Sequence, residues 1–330
     1  MWLFFATGAG RVTDQKPAPI DVVITWVDGA DPAHRARREV AQERMARQLP
    51  PNGVNPHRWG TSNELTYCLR SLANHAPWVR HVWIVTDDQN PDLSALPGPF
   101  GARVRVIDHR VIFAGHEAHL PTFNSVAIET LLWRIPDLAE QFVYFNDDVF
   151  LTGALTPSDV FRGGLPVLRG KWADYSALRD DPASMGDPAL FNHYAQINAA
   201  HLAGFDAGHL WASAHVVHPL RRSVMAAMHV THRNAMLANV AHPFRDLSQF
   251  QPIALHNHLS IRAGDFVFET RRDHLHLRSG AVIDFPPEEV RAYLRRATEP
   301  GSKFLCINDL PQVEAALPDA HAWIERAIGA

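Results

Sequence analysis

Residues 141–148 read QFVYFNDD, an apolar and aromatic run that stops on one amide and two carboxylates. Short runs of this kind predict a strand over Gln141–Phe145, delivering Asn146, Asp147 and Asp148 at its carboxyl end. The pattern repeats upstream. IDVVITWV (Ile20–Val27) ends in Asp28-Gly29, HVWIVT (His81–Thr86) closes on Asp87-Asp88, and Arg103–Ile107 leads to Asp108. Unbroken apolar runs read as parallel strands buried on both faces. Between them, Asn63–Asn74 carries Leu65, Leu69 and Leu72 at helical spacing, and Pro121–Ile135 contains a helix with Ile128, Leu131, Leu132 and Ile135 on its apolar face. Alternating strands and helices imply an α/β fold with a mostly parallel sheet and right-handed crossovers. Ligands of such sheets gather outside the carboxyl ends of the strands, where Asp28, Asp87, Asp108 and Asp148 stand.

Away from this centre the patterns weaken. Residues 1–19 form a loose lead-in, and residues 33–49 are densely charged, a solvent-facing helix broken by Pro50, Pro51, Asn52 and Gly53. In the second half, Pro219 is expected to open a helix through Met228. Leu247–Leu259 reads as helical with Pro252 early in it or at a kink. Pro287–Ala297 is a charged amphipathic helix, Lys303–Ile307 a short strand and Ala315–Ala327 a closing helix. After the lead-in, residues 20–330 are expected to form a single domain. Residues 20–160 make its ligand-binding half, and 161–330 contribute a second half around one cleft.

The 330 residues are 46% hydrophobic and 20% charged, enough apolar surface for a packed core. A net charge of -4 gives no electrostatic case for nucleic acid. Two cysteines, Cys68 and Cys306, make no disulfide framework and fit a reducing compartment. No apolar stretch reaches the ~20 residues that span a bilayer. The opening MWLFFA (Met1–Ala6) has no charged lead and is too short for a signal peptide. The expectation is a cytoplasmic protein. Twenty histidines stand out, and base-composition bias is the simple explanation for their number.

Several residues carry candidate chemistry. Asp148 or Asp147 suits a hard divalent cation, which takes one or two carboxylates and completes its shell with water and phosphate; the plain alternative is a turn. Glu129, beside Ile128, reads in isolation as the solvated side of a helix. Asp28 could meet a nucleotide or cap a turn. His215 and His218 are both available as neutral bases near pH 7. Arg245 could hold phosphate through two parallel hydrogen bonds, or pair with Asp246 at the surface. His256-Asn257-His258 and His274-Leu275-His276 have zinc-like spacing, since on a strand both rings share a face, yet neither comes with a third and fourth ligand.

Taken together, these segments resemble the Stealth family, which includes bacterial capsular polysaccharide phosphotransferases and the animal GlcNAc-1-phosphotransferase. Four stretches carry the resemblance: DVVITWVDGAD (Asp21–Asp31), the region from Arg58 to Leu151 with LPTFNSVAIE and FVYFNDDVFL, residues 215–261 with AHVVHPLRR and HPFRDLSQF, and KFLCIND (Lys303–Asp309). Thr66 and the tail after Asp309 depart from the family pattern. The resemblance implies a Rossmann-like, GT-A-like domain. It implies transfer of a sugar 1-phosphate from a UDP-sugar donor to a glycan or sugar acceptor, with UMP leaving, in capsule or exopolysaccharide synthesis. It points to Glu129, Asp148, His215 and Arg245 as catalytic positions, and to Mg²⁺ or Mn²⁺ at Asp148 and Asp147. It places the nucleotide at Thr25, Trp26, Asp28 and Gly29. Peripheral association with a capsule-synthesis complex at the inner membrane face is compatible with it. The competing readings are a metal-dependent glycosyltransferase that releases UDP, a zinc hydrolase, and a noncatalytic nucleotide-sugar binder.

Overall fold

A computed structural model describes residues 18–45, 60, 62–181, 183–278 and 280–329. Most of the lead-in and the Pro50–Gly53 break lie outside these residues. In chain order the elements that build the site are β1 (Ile20–Thr25), α1 (Pro32–Met45), α2 (Glu64–His75), β2 (Val82–Thr86), β3 (Val104–Asp108), α3 (Ser125–Glu129), β4 (Gln141–Asn146) and β5 (Val149–Leu151). They continue with β6 (His218–Arg221), α4 (Arg222–Thr231), α5 (Pro252–Ala263), β7 (His274–Leu277), α6 (Pro287–Arg295), β8 (Phe304–Ile307), α7 (Leu310–Ala316) and α8 (Ala320–Ala327).

The main sheet has the order β6-β4-β1-β2-β3. Its four central and distal strands are parallel, and only β6 runs against its neighbour β4. This is the mostly parallel sheet that the apolar runs predict. Alternate residues of each strand feed two separate cores. Val22, Val82, Ile84, Val143 and Phe145 join α2 residues Leu65, Leu69 and Leu72 on one face. Val23, Trp83, Val85, Phe142 and Tyr144 join Ala127 and Ile128 of α3 on the other. Both faces are therefore covered, which is why the runs are continuous rather than alternating.

A second sheet, β7-β8-β5, abuts the first. After β4 the chain passes through Asp147 and Asp148 and immediately enters β5, so the acidic pair occupies the joint between the sheets. β8 lies antiparallel to β5, with Cys306 opposite Val149, and the Ile307 amide donates to the Asp148 carbonyl at 3.0 Å. That register carries Cys306 and Asn308 alongside Asp148.

The structure corrects some expectations. Pro219 sits inside β6, and the helix begins only at Arg222. β6 is an edge strand, where a residue without an N–H is tolerated. The region Pro121–Ile135 has only a short α-helix, Ser125–Glu129, followed by a 3₁₀ turn at Leu132–Arg134. There the Thr130 hydroxyl donates back to the Val126 carbonyl and receives the Asn239 amide, so tertiary bonds replace helix continuation. The expected closing helix divides into α7 and α8. Leu317, preceding Pro318, is extended at φ -128°, ψ 90°, because a proline disfavours the helical region for the residue before it. Pro252 opens α5 at its first turn, one of the two placements expected. Both cysteines are free and buried. No helix among the described residues is long and apolar enough to cross a membrane.

Candidate active site

Glu129, Asp148, His215 and Arg245, which come from four separate segments, meet around the carboxyl ends of β1 and β4. The hub is the Tyr144 hydroxyl. It lies 2.8 Å from Thr25 Oγ1, 2.9 Å from Asn146 Oδ1 and 3.1 Å from Glu129 Oε1. A single phenol proton serves one of the two acceptors at a time, while Thr25 donates to the phenol oxygen. Glu129 is 5% exposed, so the solvated-helix reading fails: α3 turns this acid inward. Burial and the neighbouring Glu129 charge push the Tyr144 phenol well above its usual range.

Asn146 carries the network onward, its Nδ2 lying 3.4 Å from His215 Nε2. His215 follows the strand Leu210–Ser213 and precedes β6, whose antiparallel pairing with β4 sets it beside the acidic turn. Burial, then the Arg245 charge, push its imidazole down to about 4, so the ring is neutral at pH 7. His218 lies opposite Tyr144 in the β6–β4 ladder and stacks its ring against the phenol.

Arg245 reaches the site from the loop before α5. Its Nη2 donates to Ser125 Oγ at 3.0 Å and its guanidinium lies 5.1 Å from the centroid of Phe191. Its Nε is buried without a hydrogen-bond partner among the described residues. Burial lowers the guanidinium pKa, and the charges of Glu129 and Tyr144 oppose that shift. The surface pair with Asp246 does not form: the Asp246 carboxylate accepts from Ser248 instead. Asn124 ties this loop to α3. Its Oδ1 caps the helix by accepting from Val126 N, while its Nδ2 contacts the carbonyls of His242 and Phe244 and Gln249 Oε1, each at 2.9 Å.

Asp148, His215 and Cys306 form a group whose ligand atoms all lie within 4.8 Å of one another. Asp148 Oδ2 accepts from the Asn308 amide at 2.6 Å, whereas Oδ1 is buried with no hydrogen-bond partner among the described residues. Desolvation raises the carboxyl to about 6, opposed by the Asn308 bond, the His276 charge and the Cys306 thiol. An uncompensated carboxylate oxygen in this setting fits a bound cation. Asp147 stands outside the three-ligand group. Desolvation, Asp148 and Glu64 push its carboxyl well above the usual range.

The turn after β1 holds the remaining expected residues. Thr25 pairs in register with Asn146. Trp26 packs against the core, and its amide donates to the Val85 carbonyl. The Asp28 amide donates to Gln89 Oε1 at 2.8 Å, Gln89 Nε2 donates to the Asp28 carbonyl at 3.0 Å, and buried Gly29 follows.

The zinc spacing of His256 and His258 is that of a helix, not a strand, because both lie on α5. Their Nε2 atoms accept the backbone amides of Arg221 and Trp211 at 3.0 Å, so each ring is a structural acceptor. Sequence reasoning missed Tyr144, Asn146, Cys306 and Asn308 as members of the site. It met His276 only as a zinc candidate. The QFVYFNDD and KFLCIND stretches held the signal, but nothing local says that these stretches become neighbours.

Comparison with known proteins gives two family matches. Residues 18–44 match Stealth protein CR1, conserved region 1, and residues 58–166 match Stealth protein CR2, conserved region 2. An exopolysaccharide phosphotransferase of Streptomyces coelicolor is 33% identical over 327 residues, which is 97% of this chain and 51% of that protein. A capsular polysaccharide phosphotransferase of Aeromonas hydrophila is 36% identical over 187 residues, 53% of this chain and 49% of that protein. The chain spans about half the length of these relatives. Among solved structures, the galactosyltransferase LgtC aligns over 93% of this chain and 95% of its own, at 15% identity and a TM-score of 0.46.

Proposed function

We propose, from the match of residues 18–44 and 58–166 to conserved regions 1 and 2 of the Stealth proteins, that the chain transfers a hexose 1-phosphate from a UDP-sugar to an acceptor hydroxyl, releasing UMP, in capsule or exopolysaccharide synthesis. The observation that supports this most is the meeting of a carboxylate, a neutral imidazole and a guanidinium, drawn from distant segments, at the carboxyl ends of β1 and β4. We take residues 20–330 as one catalytic unit, with the nucleotide and cation held by 20–160 and the histidine and arginine supplied by 161–330.

Transfers at phosphorus rest on positioning and charge stabilisation more than on covalent chemistry. Asp148, joined by Asp147, would hold Mg²⁺ or Mn²⁺. Such a cation neutralises charge on the diphosphate and on the departing monophosphate. Arg245 would stabilise the negative charge that grows on the nonbridging oxygens. His215, neutral because burial depresses its pKa, takes the proton of the acceptor hydroxyl. Glu129, behind Tyr144 and almost fully buried, orients the Tyr144–Asn146–His215 chain rather than acting as the base. The Thr25–Gly29 turn seats the nucleotide.

Incubation with a panel of UDP-sugars and Mg²⁺ or Mn²⁺, followed by chromatography of the released nucleotide, tests the reading. UMP is expected. UDP would assign the chain to glycosyl transfer at the anomeric carbon instead.

A further inference from the structure

Two short hydrogen bonds converge on one side chain of the second sheet. Asn308 Nδ2 donates to Asp148 Oδ2 at 2.6 Å, and Asn308 Oδ1 lies 2.6 Å from His276 Nε2. An amide has one donating and one accepting end, so these contacts fix each other. Because Nδ2 faces a carboxylate, Oδ1 must face the ring, and His276 Nε2 must carry the proton. The His276 ring in turn stacks on His215, with centroids 4.7 Å apart and planes 19° from parallel. The His276 backbone is held by Tyr293, whose hydroxyl accepts from the His276 amide at 3.0 Å and donates to its carbonyl at 3.1 Å.

We propose that Asn308 and His276 are positioning residues that set Asp148 and His215 relative to each other. Asn308 occupies Asp148 Oδ2 and leaves Oδ1, the buried oxygen without a hydrogen-bond partner, for the cation. His276 locks the orientation of the Asn308 amide through its Nε2–H and supports one face of the His215 ring. Neither residue touches the reacting atoms. The strand register explains the pairing: β7 and β8 run parallel with His276 opposite Cys306, and β8 ends at Ile307, whose amide bond to the Asp148 carbonyl sets Asn308 beside the β4–β5 joint. Outer partners of a metal-binding carboxylate commonly account for 10–100-fold in metal affinity or activity.

The inference rests on the reading of Asp148 as a cation ligand, and the experiment separates the two. Mn²⁺ is titrated into the purified protein and the free ion is followed by electron paramagnetic resonance, with no donor or acceptor present. Wild-type protein should bind Mn²⁺, and Asn308→Ala should bind it roughly 10–100-fold more weakly. His276→Phe keeps a ring against His215 but cannot donate, which frees the Asn308 amide to flip, so its affinity should also fall. His276→Gln restores an amide donor and should recover most of the lost affinity, while turnover stays reduced for want of the ring beneath His215. Wild-type affinity in Asn308→Ala would overturn the inference. So would a loss in Asn308→Ala with none in His276→Phe, which would make Asn308 a ligand in its own right. Should Asn308→Ala fail to fold, the two His276 variants decide alone. Absence of Mn²⁺ binding by the wild-type protein would instead sink the cation reading itself.

Discussion

Asp148 does two things at once: one oxygen is tied to Asn308, and the other is buried with no hydrogen-bond partner among the described residues. Asp148→Asn keeps the shape but removes the charge that would hold a cation. Turnover should fall by at least about 10²–10³-fold, while the circular dichroism spectrum and urea midpoint stay close to wild type. Near-normal turnover would remove the cation role. His215→Ala should lower kcat by roughly 10²–10⁴-fold, the usual share of a general base, as single-turnover kinetics would show. A drop of the same size from Glu129→Gln, with His215→Ala nearly silent, would transfer the role to Glu129. At this scale the sequence was legible where carboxylates end an apolar run, as at Asp148 just beyond β4. It was not legible at Cys306 or Asn308. Their surroundings arise from the pairing of β8 with β5, a contact across nearly half the chain that no local period encodes.

Among the elements, α3 and the Arg245 loop are held as one piece by Asn124. This side chain caps α3 and contacts two loop carbonyls and Gln249. Asn124→Ala removes a cap and several buried bonds, so unfolding free energy should drop by about 1–3 kcal/mol in urea titrations. Because Arg245 then loses its fixed distance from Ser125, kcat should fall as well, with the donor KM less affected. A destabilised variant with unchanged kcat would show that the loop does not need this tie. The parallel strands and α2 were readable because burial on both faces and a clean leucine stripe leave strong patterns. Pro219 misled because proline suits the first turn of a helix and an edge strand equally well. The α7–α8 break was written in Pro318, whose effect on Leu317 outweighs the helical periodicity on either side.

Over the whole molecule, many histidines serve packing rather than chemistry, and this sets an acid limit on stability. His109 and His256 are 1% and 0% exposed, and burial pushes each imidazole down to about 4. In the unfolded chain each takes a proton near pH 6.5. Between those values the unfolded state binds more protons than the native state, so stability is full above about 6.5 and declines as pH falls toward 4. The loss should reach roughly 1–2 kcal/mol per histidine by pH 5, visible as a lower urea midpoint at pH 5 than at pH 7.5. His109→Leu should reduce that difference, and an unaltered pH response in the variant would contradict the assignment.

At the same scale stands the central proposal, that residues scattered from Thr25 to Asn308 would hold a cation-bound diphosphate and cleave it between its two phosphorus atoms. A donor labelled with ³²P at the sugar-proximal phosphate reports this directly. UDP-hexose so labelled, incubated with Mn²⁺ and a glycan acceptor, should deliver its label to the glycan and leave unlabelled UMP. Label recovered in released UDP, with the sugar alone on the glycan, would contradict the account.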